Sequence, residues 1–87
     1  MREHSVIVKW RAGLHARPAS DIVKVANKFK SKITIKKGDI EVDGKSIFGI
    51  MMLGATYKTS LSIIIEGTDE EDAGFALVNV FETNANE

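Results

Sequence analysis

Residues 13–19 place a histidine, an arginine and a proline within one short stretch, Gly-Leu-His-Ala-Arg-Pro-Ala. Because proline has no N–H to lose, it is favoured in the first turn of a helix, so Pro18 puts His15 at or next to a helix N-cap. The free amides of that turn and the positive end of the helix dipole then point at the His15 side chain. Together with the guanidinium of Arg17, this arrangement is suited to hold a small anion, phosphate above all.

His15 is also the side chain of this stretch that could react. Imidazole titrates near neutral pH, and its neutral form has a nitrogen lone pair that can act as a nucleophile. If His15 took up a phosphoryl group, the backbone amides of Ala16 and Arg17 and the Arg17 guanidinium would meet the added negative charge. The alternative, from the residues alone, is a surface histidine that caps a helix beside an arginine in an incidental ion pair.

Ser46 begins a second, shorter helical pattern that Gly54 closes, since serine is a preferred N-cap and glycine the usual C-terminal stop. On this basis alone Ser46 is a structural N-cap. A helix of two turns cannot bury every face, so we assign Ile50 and Leu53 to the core and expect the other apolar residues to form a docking surface. This docking surface consists of Ile47, Phe48, Met51 and Met52, with Ser20, Lys24 and Asn27 of the first helix as its polar rim.

Other residues offer less chemistry. His4 has no acidic or histidine partner at metal-ligand spacing, so we expect a solvated side chain, and two histidines without a cysteine are too few donors for a metal site. A set of lysines alternates with core positions and has only Phe29 as an aromatic neighbour, which is typical of a solvated face and not of a nucleic-acid interface. These lysines are Lys24, Lys28, Lys30, Lys32, Lys36 and Lys37.

The composition is that of one small globular domain, which we expect to span residues 1–87. Its 12 Lys and Arg residues balance 12 Asp and Glu residues, so no net charge draws the chain to nucleic acid or to a membrane. The chain has no cysteine and therefore no disulfide. Its start does not resemble a signal peptide, and no apolar run approaches the roughly 18 residues of a bilayer span. We expect a cytoplasmic protein without membrane insertion.

Apolar periodicity predicts the elements that position these residues, with period two for strands and spacings of three and four for helices. The predicted strands cover residues 3–10, 32–37, 40–42 and 59–66, and the predicted helices begin at Ala16, Ser46 and Thr68.

The third predicted helix has distinctive ends. Residues 68–71, Thr-Asp-Glu-Glu, have the pattern of a capping box. Gly74 is expected to weaken this helix by roughly 1 kcal/mol relative to alanine. Residues 83–87 are expected to fray.

The predicted order of elements is β-α-β-β-α-β-α, and each strand has one apolar face. A sheet of such strands is covered by helices on one side and wet on the other, which predicts an α+β two-layer sandwich.

Residues 13–19 are followed about thirty residues later by residues 45–54, Lys-Ser-Ile-Phe-Gly-Ile-Met-Met-Leu-Gly. With this pair of motifs the chain resembles the histidine-containing phosphocarrier protein family, HPr, and the resemblance covers nearly the whole chain in length, element order and motif spacing. It implies an open-faced sandwich in which a four-stranded antiparallel sheet carries three helices on one face.

The resemblance also implies a function. In that family the histidine matching His15 accepts a phosphoryl group on a ring nitrogen from Enzyme I, which draws it from phosphoenolpyruvate, and passes it to the IIA components of sugar permeases. Arg17 would stabilise the phosphoryl group, and Ser46 would be a regulatory phosphorylation site. The implied partners are Enzyme I, IIA components, HPr kinase/phosphorylase and a catabolite-control transcription regulator. The implied protein is a monomer without a cofactor and without turnover of its own.

Two alternatives keep this fold. One is a regulatory binding module that acts through Ser46 and its protein partners instead of sugar uptake. The other is a phosphocarrier of the nitrogen-related branch, with the same chemistry and different partners. A replaced histidine would favour the regulatory module, whereas His15 is present.

Overall fold

The computed structural model describes residues 1–83. The elements are β1 (Arg2–Ile7), α1 (Ala16–Ala26), β2 (Lys32–Lys37), β3 (Ile40–Asp43), α2 (Ile47–Met52), β4 (Ser60–Glu66) and α3 (Glu70–Thr83). The sheet has the strand order β1-β4-β2-β3, and every pair of neighbouring strands is antiparallel. This is the predicted α+β architecture, with the predicted order of elements.

The core lies between one face of the sheet and the three helices. On β4 the residues Leu61, Ile63 and Ile65 are buried, and they alternate with residues on the open face. α1 buries an apolar stripe that includes Ile22 and Ala26 at helical spacing. α1 packs against both other helices, and these contacts fix its position in the helical layer.

The first strand is shorter than predicted. Alternation suggested residues 3–10, but β1 ends at Ile7. Val8 still makes two backbone hydrogen bonds with the segment just before β4: Val8 N donates to Thr59 O at 2.9 Å, and Lys58 N donates to Val8 O at 2.7 Å. β4 begins only at Ser60, so the ladder cannot continue further. The apolar pattern beyond Ile7 instead reflects burial, because Val8 and Trp10 are both fully buried.

The predicted capping box at residues 68–71 is wrong. α3 begins at Glu70, and Glu70 Oε1 accepts a hydrogen bond from Gly67 N at 3.1 Å. Asp69 makes tertiary contacts instead: its carboxylate accepts from Lys30 N at 2.8 Å and from both the amide and the hydroxyl of Ser31. Tertiary contacts to the α1–β2 loop therefore decide where this helix starts.

His4 is not the solvated side chain that its place near the N-terminus suggested. It is half-buried on β1, and its ring lies against Gly74 of α3. A Cβ atom at position 74 would come within 2.5 Å of His4 Nε2. The glycine that lowers helix propensity thus makes room for an imidazole.

One lysine of the expected solvated face is also tied to the fold. Lys37 Nζ donates a part-buried hydrogen bond to Leu53 O at 3.0 Å, at the C-cap of α2. A lysine there satisfies a carbonyl that the helix leaves unpaired.

The predicted fraying concerns residues 84–87, which lie outside the described residues, and Thr83, which belongs to α3. Thr83 Oγ1 donates to Asn79 O at 2.7 Å. Among residues 1–83, no helix is long and apolar enough to cross a membrane.

Candidate functional site

The loop between β1 and α1 turns sharply just before the helix. Gly13 N donates to Trp10 O and His15 N donates to Gly13 O, each at 2.9 Å. Gly13 has a φ of +81°, a backbone conformation that residues other than glycine rarely adopt. The left-handed backbone conformation of Gly13 therefore lets the loop turn so that His15 lies at the start of α1.

His15 is the N-cap of α1, as the sequence predicted. Its backbone is extended, with φ −84° and ψ −171°, and its carbonyl accepts from Ala19 N at 3.1 Å. The side chain is exposed and makes no capping hydrogen bond. The ring is therefore not committed to the helix.

Pro18 is the third residue of α1 and has no N–H. The amides of Ala16 and Arg17 are thus the first-turn donors that remain directly after the N-cap residue His15. Both residues are exposed, so an anion carried on the ring could reach their N–H groups and the positive end of the helix dipole.

Ser46 is the N-cap of α2, with φ −116° and ψ 115°. Its Oγ accepts a hydrogen bond from Gly49 N at 3.0 Å, and its carbonyl accepts from Ile50 N at 3.0 Å. Gly54, with φ +61°, follows the C-cap of this helix, so both of its predicted boundaries are confirmed. Ser46 and His15 thus occupy the same position on two helices, but only Ser46 caps with its side chain.

α1 and α2 lie against each other, which brings the two parts of the predicted docking surface onto neighbouring helices. Ile50 and Leu53 are buried, as predicted. Phe48 and Met52 are 75% and 64% exposed, and Ile47 and Met51 are each 42% exposed. On α1 and its C-cap, Lys24 and Asn27 are exposed and Ser20 is half-buried, at spacings that share one side of a helix.

One neighbour of the site had no signal in the sequence. Leu14 N donates to Ala55 O at 3.0 Å, so the loop after α2 contacts the residue next to His15. A Cβ atom at Gly13 would lie 2.7 Å from the same Ala55 oxygen. A glycine at position 13 is compatible with close contact to another backbone segment, but nothing in the sequence identified Ala55 as the residue in contact.

Two carboxylates at the start of α3 have lowered pKa values. Hydrogen bonds from Ser31 and Lys30 lower the pKa of Asp69, and a hydrogen bond from the N-terminal amine lowers the pKa of Glu70. Among residues 1–83, no group of three or more His, Cys, Asp or Glu side chains could hold a metal ion.

The surroundings of His15 are open. A shallow cleft lies instead along β2 and β3, where Lys30, Thr34 and Asp43 contribute to its lining. An exposed imidazole suits contact with another protein better than binding of an enclosed small molecule.

Comparison with known proteins places the chain among relatives of similar length. The family described as PTS HPr component phosphorylation site matches residues 2–83. The phosphocarrier protein HPr of Xylella fastidiosa (strain 9a5c) is 41% identical over 87 residues, covering 100% of this chain and 98% of the relative. The HPr-like protein Crh of Halalkalibacterium halodurans is 43% identical over 82 residues, covering 94% of this chain and 98% of the relative.

The fold agrees with these relatives. The crystal structure of HPr from Thermoanaerobacter tengcongensis superposes with a TM-score of 0.94 at 42% identity, covering 100% of this chain and 98% of that one. The family match and the curated relatives extend over nearly the whole chain. The chain therefore belongs to the HPr family of phosphocarrier proteins.

Proposed function

We propose that this chain is the phosphocarrier of a sugar phosphotransferase system, with His15 as the carrier residue. A ring nitrogen of His15 attacks the phosphorus of the phosphohistidine on Enzyme I; a new N–P bond forms as the N–P bond on Enzyme I breaks. The phosphoryl group then leaves His15 in the same way for an IIA component. The N-cap geometry of His15 carries this proposal, because its exposed ring makes no cap bond.

The start of α1 supports the phosphorylated state of His15. The Ala16 and Arg17 amides belong to the first turn of α1, directly after the N-cap residue His15, so we assign to them, to the helix dipole and to the Arg17 guanidinium the stabilisation of the added charge. Each transfer converts one phosphohistidine into another, because the phosphoryl group passes from a phosphohistidine to an unphosphorylated histidine, so the step need not be strongly downhill. On this proposal the chain is a substrate of its partners and not an enzyme with its own turnover.

We assign docking of Enzyme I and of IIA components to the docking surface on α1 and α2. Its apolar residues are exposed, and methionine side chains adapt to several partners. The polar rim of Ser20, Lys24 and Asn27 lies beside it on α1 and its C-cap. Weak and brief docking suits a shuttle between proteins.

We assign to Ser46 a regulatory role. Its phosphorylation by an HPr kinase/phosphorylase would add a charge of about −1.5 to −2 next to the docking surface. An acidic surface on Enzyme I would then be repelled, and transfer to His15 would slow. A catabolite-control transcription regulator is the partner proposed for the phosphorylated form.

A second candidate is a regulatory module of the Crh type, because one relative of this chain is named an HPr-like protein Crh. A carrier of the nitrogen-related branch is a variant with other partners. His15 favours a carrier over a module that acts through Ser46 alone. In all three cases we propose one domain that acts in the cytoplasm as a monomer.

The test uses the two histidines as a matched pair. The protein is incubated with phosphoenolpyruvate and Enzyme I, and mass spectrometry counts acid-labile phosphates. We expect one phosphate on wild type and on His4→Ala, and none on His15→Ala. No phosphate on wild type, or a phosphate that persists in His15→Ala, would contradict the carrier role.

The regulatory role has its own test. Ser46→Asp is expected to accept phosphate from Enzyme I more slowly than wild type, while Ser46→Ala accepts it at the wild-type rate. Equal rates for Ser46→Asp and Ser46→Ala would remove the support for regulation through charge at this position.

A further inference from the structure

The loop that carries His15 is supported by a second loop, which joins α2 to β4. Leu14 N donates to Ala55 O at 3.0 Å, and both residues are buried. This hydrogen bond joins the residue before His15 to a segment some forty positions further along the chain. The backbone that places His15 is therefore fixed by a contact from outside its own helix.

Gly13 allows the two loops to come this close. A Cβ atom at Gly13 would lie 2.7 Å from Ala55 O and 3.3 Å from Thr56 Cα, both of which are backbone atoms. Such atoms cannot rotate away as the end of a side chain could. Any residue larger than glycine must therefore push the loops apart.

The supporting loop is itself stiffened by a turn at residues 56–59. Thr56 N donates to Thr59 Oγ1 at 3.1 Å, the two threonine hydroxyls are 3.1 Å apart, and Thr59 N donates to Thr56 O at 3.0 Å. On the other side, Lys37 Nζ holds Leu53 O at 3.0 Å. The Ala55 carbonyl therefore lies in a segment that is fixed on one side by the Lys37 hydrogen bond to Leu53 O and on the other by the Thr56–Thr59 turn.

We propose that Gly13, the Ala55 carbonyl and the Thr56–Thr59 turn form a positioning element for His15. The proposal rests on the carrier role of His15 and names residues that lie outside the docking surface assigned to α1 and α2. Because the His15 side chain makes no cap bond, its ring has no local hydrogen bond to orient it as an N-cap. The position of its backbone therefore sets the range of positions that the ring nitrogen can take during transfer.

Such positioning affects the rate of transfer more than binding. A misplacement of about 1 Å in a reacting group can lower a rate by roughly 100-fold. The docking surface lies on α1 and α2 and does not include this element. Loss of the positioning element is therefore expected to lower kcat for transfer from Enzyme I while KM changes little.

The first test compares Gly13→Ala with Gly38→Ala. Gly38 also has a positive φ, +59°, but a Cβ atom there would meet nothing within 4 Å, so this variant controls for backbone strain. We expect kcat to fall at least about tenfold in Gly13→Ala, with KM within about twofold, and both to stay at wild-type values in Gly38→Ala. Equal kcat values in the two variants would overturn the proposal.

A second pair of variants keeps the test decisive if Gly13→Ala does not fold. Thr59→Val keeps the shape of the side chain and removes its hydroxyl, whereas Thr59→Ser keeps the hydroxyl. We expect a lower kcat in Thr59→Val and a wild-type kcat in Thr59→Ser. A wild-type kcat in Thr59→Val would count against the role of the turn and overturn the proposal in its present form.

A direct measurement separates this proposal from the carrier role. The scalar coupling across the hydrogen bond from Leu14 N to the Ala55 carbonyl is measured by NMR, without any phosphorylation. It is expected in wild type and in Gly38→Ala, and lost in Gly13→Ala. If wild type takes up no phosphate, the carrier role fails whatever the coupling shows. If Gly13→Ala keeps both the coupling and the rate, only the positioning proposal fails.

Discussion

The imidazole of His4 lies against Gly74 of α3, so closely that a Cβ atom at position 74 would come within 2.5 Å of His4 Nε2. The two residues are far apart in the chain, on β1 and α3. A position that weakens the helix in isolation therefore accommodates a side chain of the sheet, and the two effects can be separated by mutation.

Gly74→Ala is expected to stabilise the protein much more in a His4→Ala background than in wild type. Alanine favours a helix over glycine by about 1 kcal/mol, but in wild type the His4 ring must move to admit the new methyl group. Urea unfolding, followed by the fluorescence of the single and buried Trp10, measures both changes. Equal stabilisation in the two backgrounds would show that the His4 ring does not oppose a methyl group at position 74.

Ser46→Ala is expected to lower the free energy of unfolding by about 1 kcal/mol, because it removes the N-cap acceptor for Gly49 N. Ser46→Asp keeps an acceptor at this position and should lose much less. The same urea unfolding experiment compares the three proteins. A loss in Ser46→Asp as large as that in Ser46→Ala would mean that capping does not account for the stability at this position.

The network around Asp69 predicts a loss of stability in acid. Hydrogen bonds from Ser31 and Lys30 lower the pKa of Asp69 from its ordinary value of 3.8, so the unfolded chain binds the proton more tightly than the folded protein. The contribution of the Asp69 charge is therefore complete above pH 3.8 and is lost as the pH falls through the folded pKa. Asp69→Asn should be less stable than wild type at neutral pH, and the difference should narrow below pH 3.8.

The control for this prediction is Asp72→Asn, since Asp72 lies in the first turn of α3, three residues after Asp69, whereas Lys30 and Ser31 donate their hydrogen bonds to Asp69. Unfolding in urea at a series of pH values gives the free energy of unfolding of each variant relative to wild type. If the difference in free energy of unfolding between wild type and Asp69→Asn stays constant from neutral to acid pH, the Asp69 charge does not stabilise the fold as proposed.

Phe48→Ser is expected to raise KM for transfer from Enzyme I about tenfold and to leave kcat nearly unchanged. An aromatic anchor at an interface contributes more than about 1 kcal/mol, and about 1.4 kcal/mol corresponds to tenfold in affinity. Phe75→Ser is the matched control, because Phe75 is 66% exposed against 75% for Phe48 but lies on α3. Equal effects of the two substitutions on KM would argue against docking over α2.

The sequence by itself determined the features that depend on neighbours along the chain. The N-cap at His15 follows from Pro18 and the helical period after it, and the N-cap at Ser46 follows from Ser46 and Gly54. These features were predictable because backbone geometry and capping are set within a few residues. The alternation of the strands likewise predicted which face of β4 is buried.

Only the tertiary structure decided the contacts between distant segments. The start of α3 depends on Asp69 meeting Ser31, 38 positions away. In the same way, His4 meets Gly74 and Leu14 meets Ala55. No local pattern encodes these pairs, because they depend on how helices and loops pack over the sheet. The sequence thus identified the residue that is proposed to carry the phosphoryl group, while the packing of two distant loops decides where that residue lies.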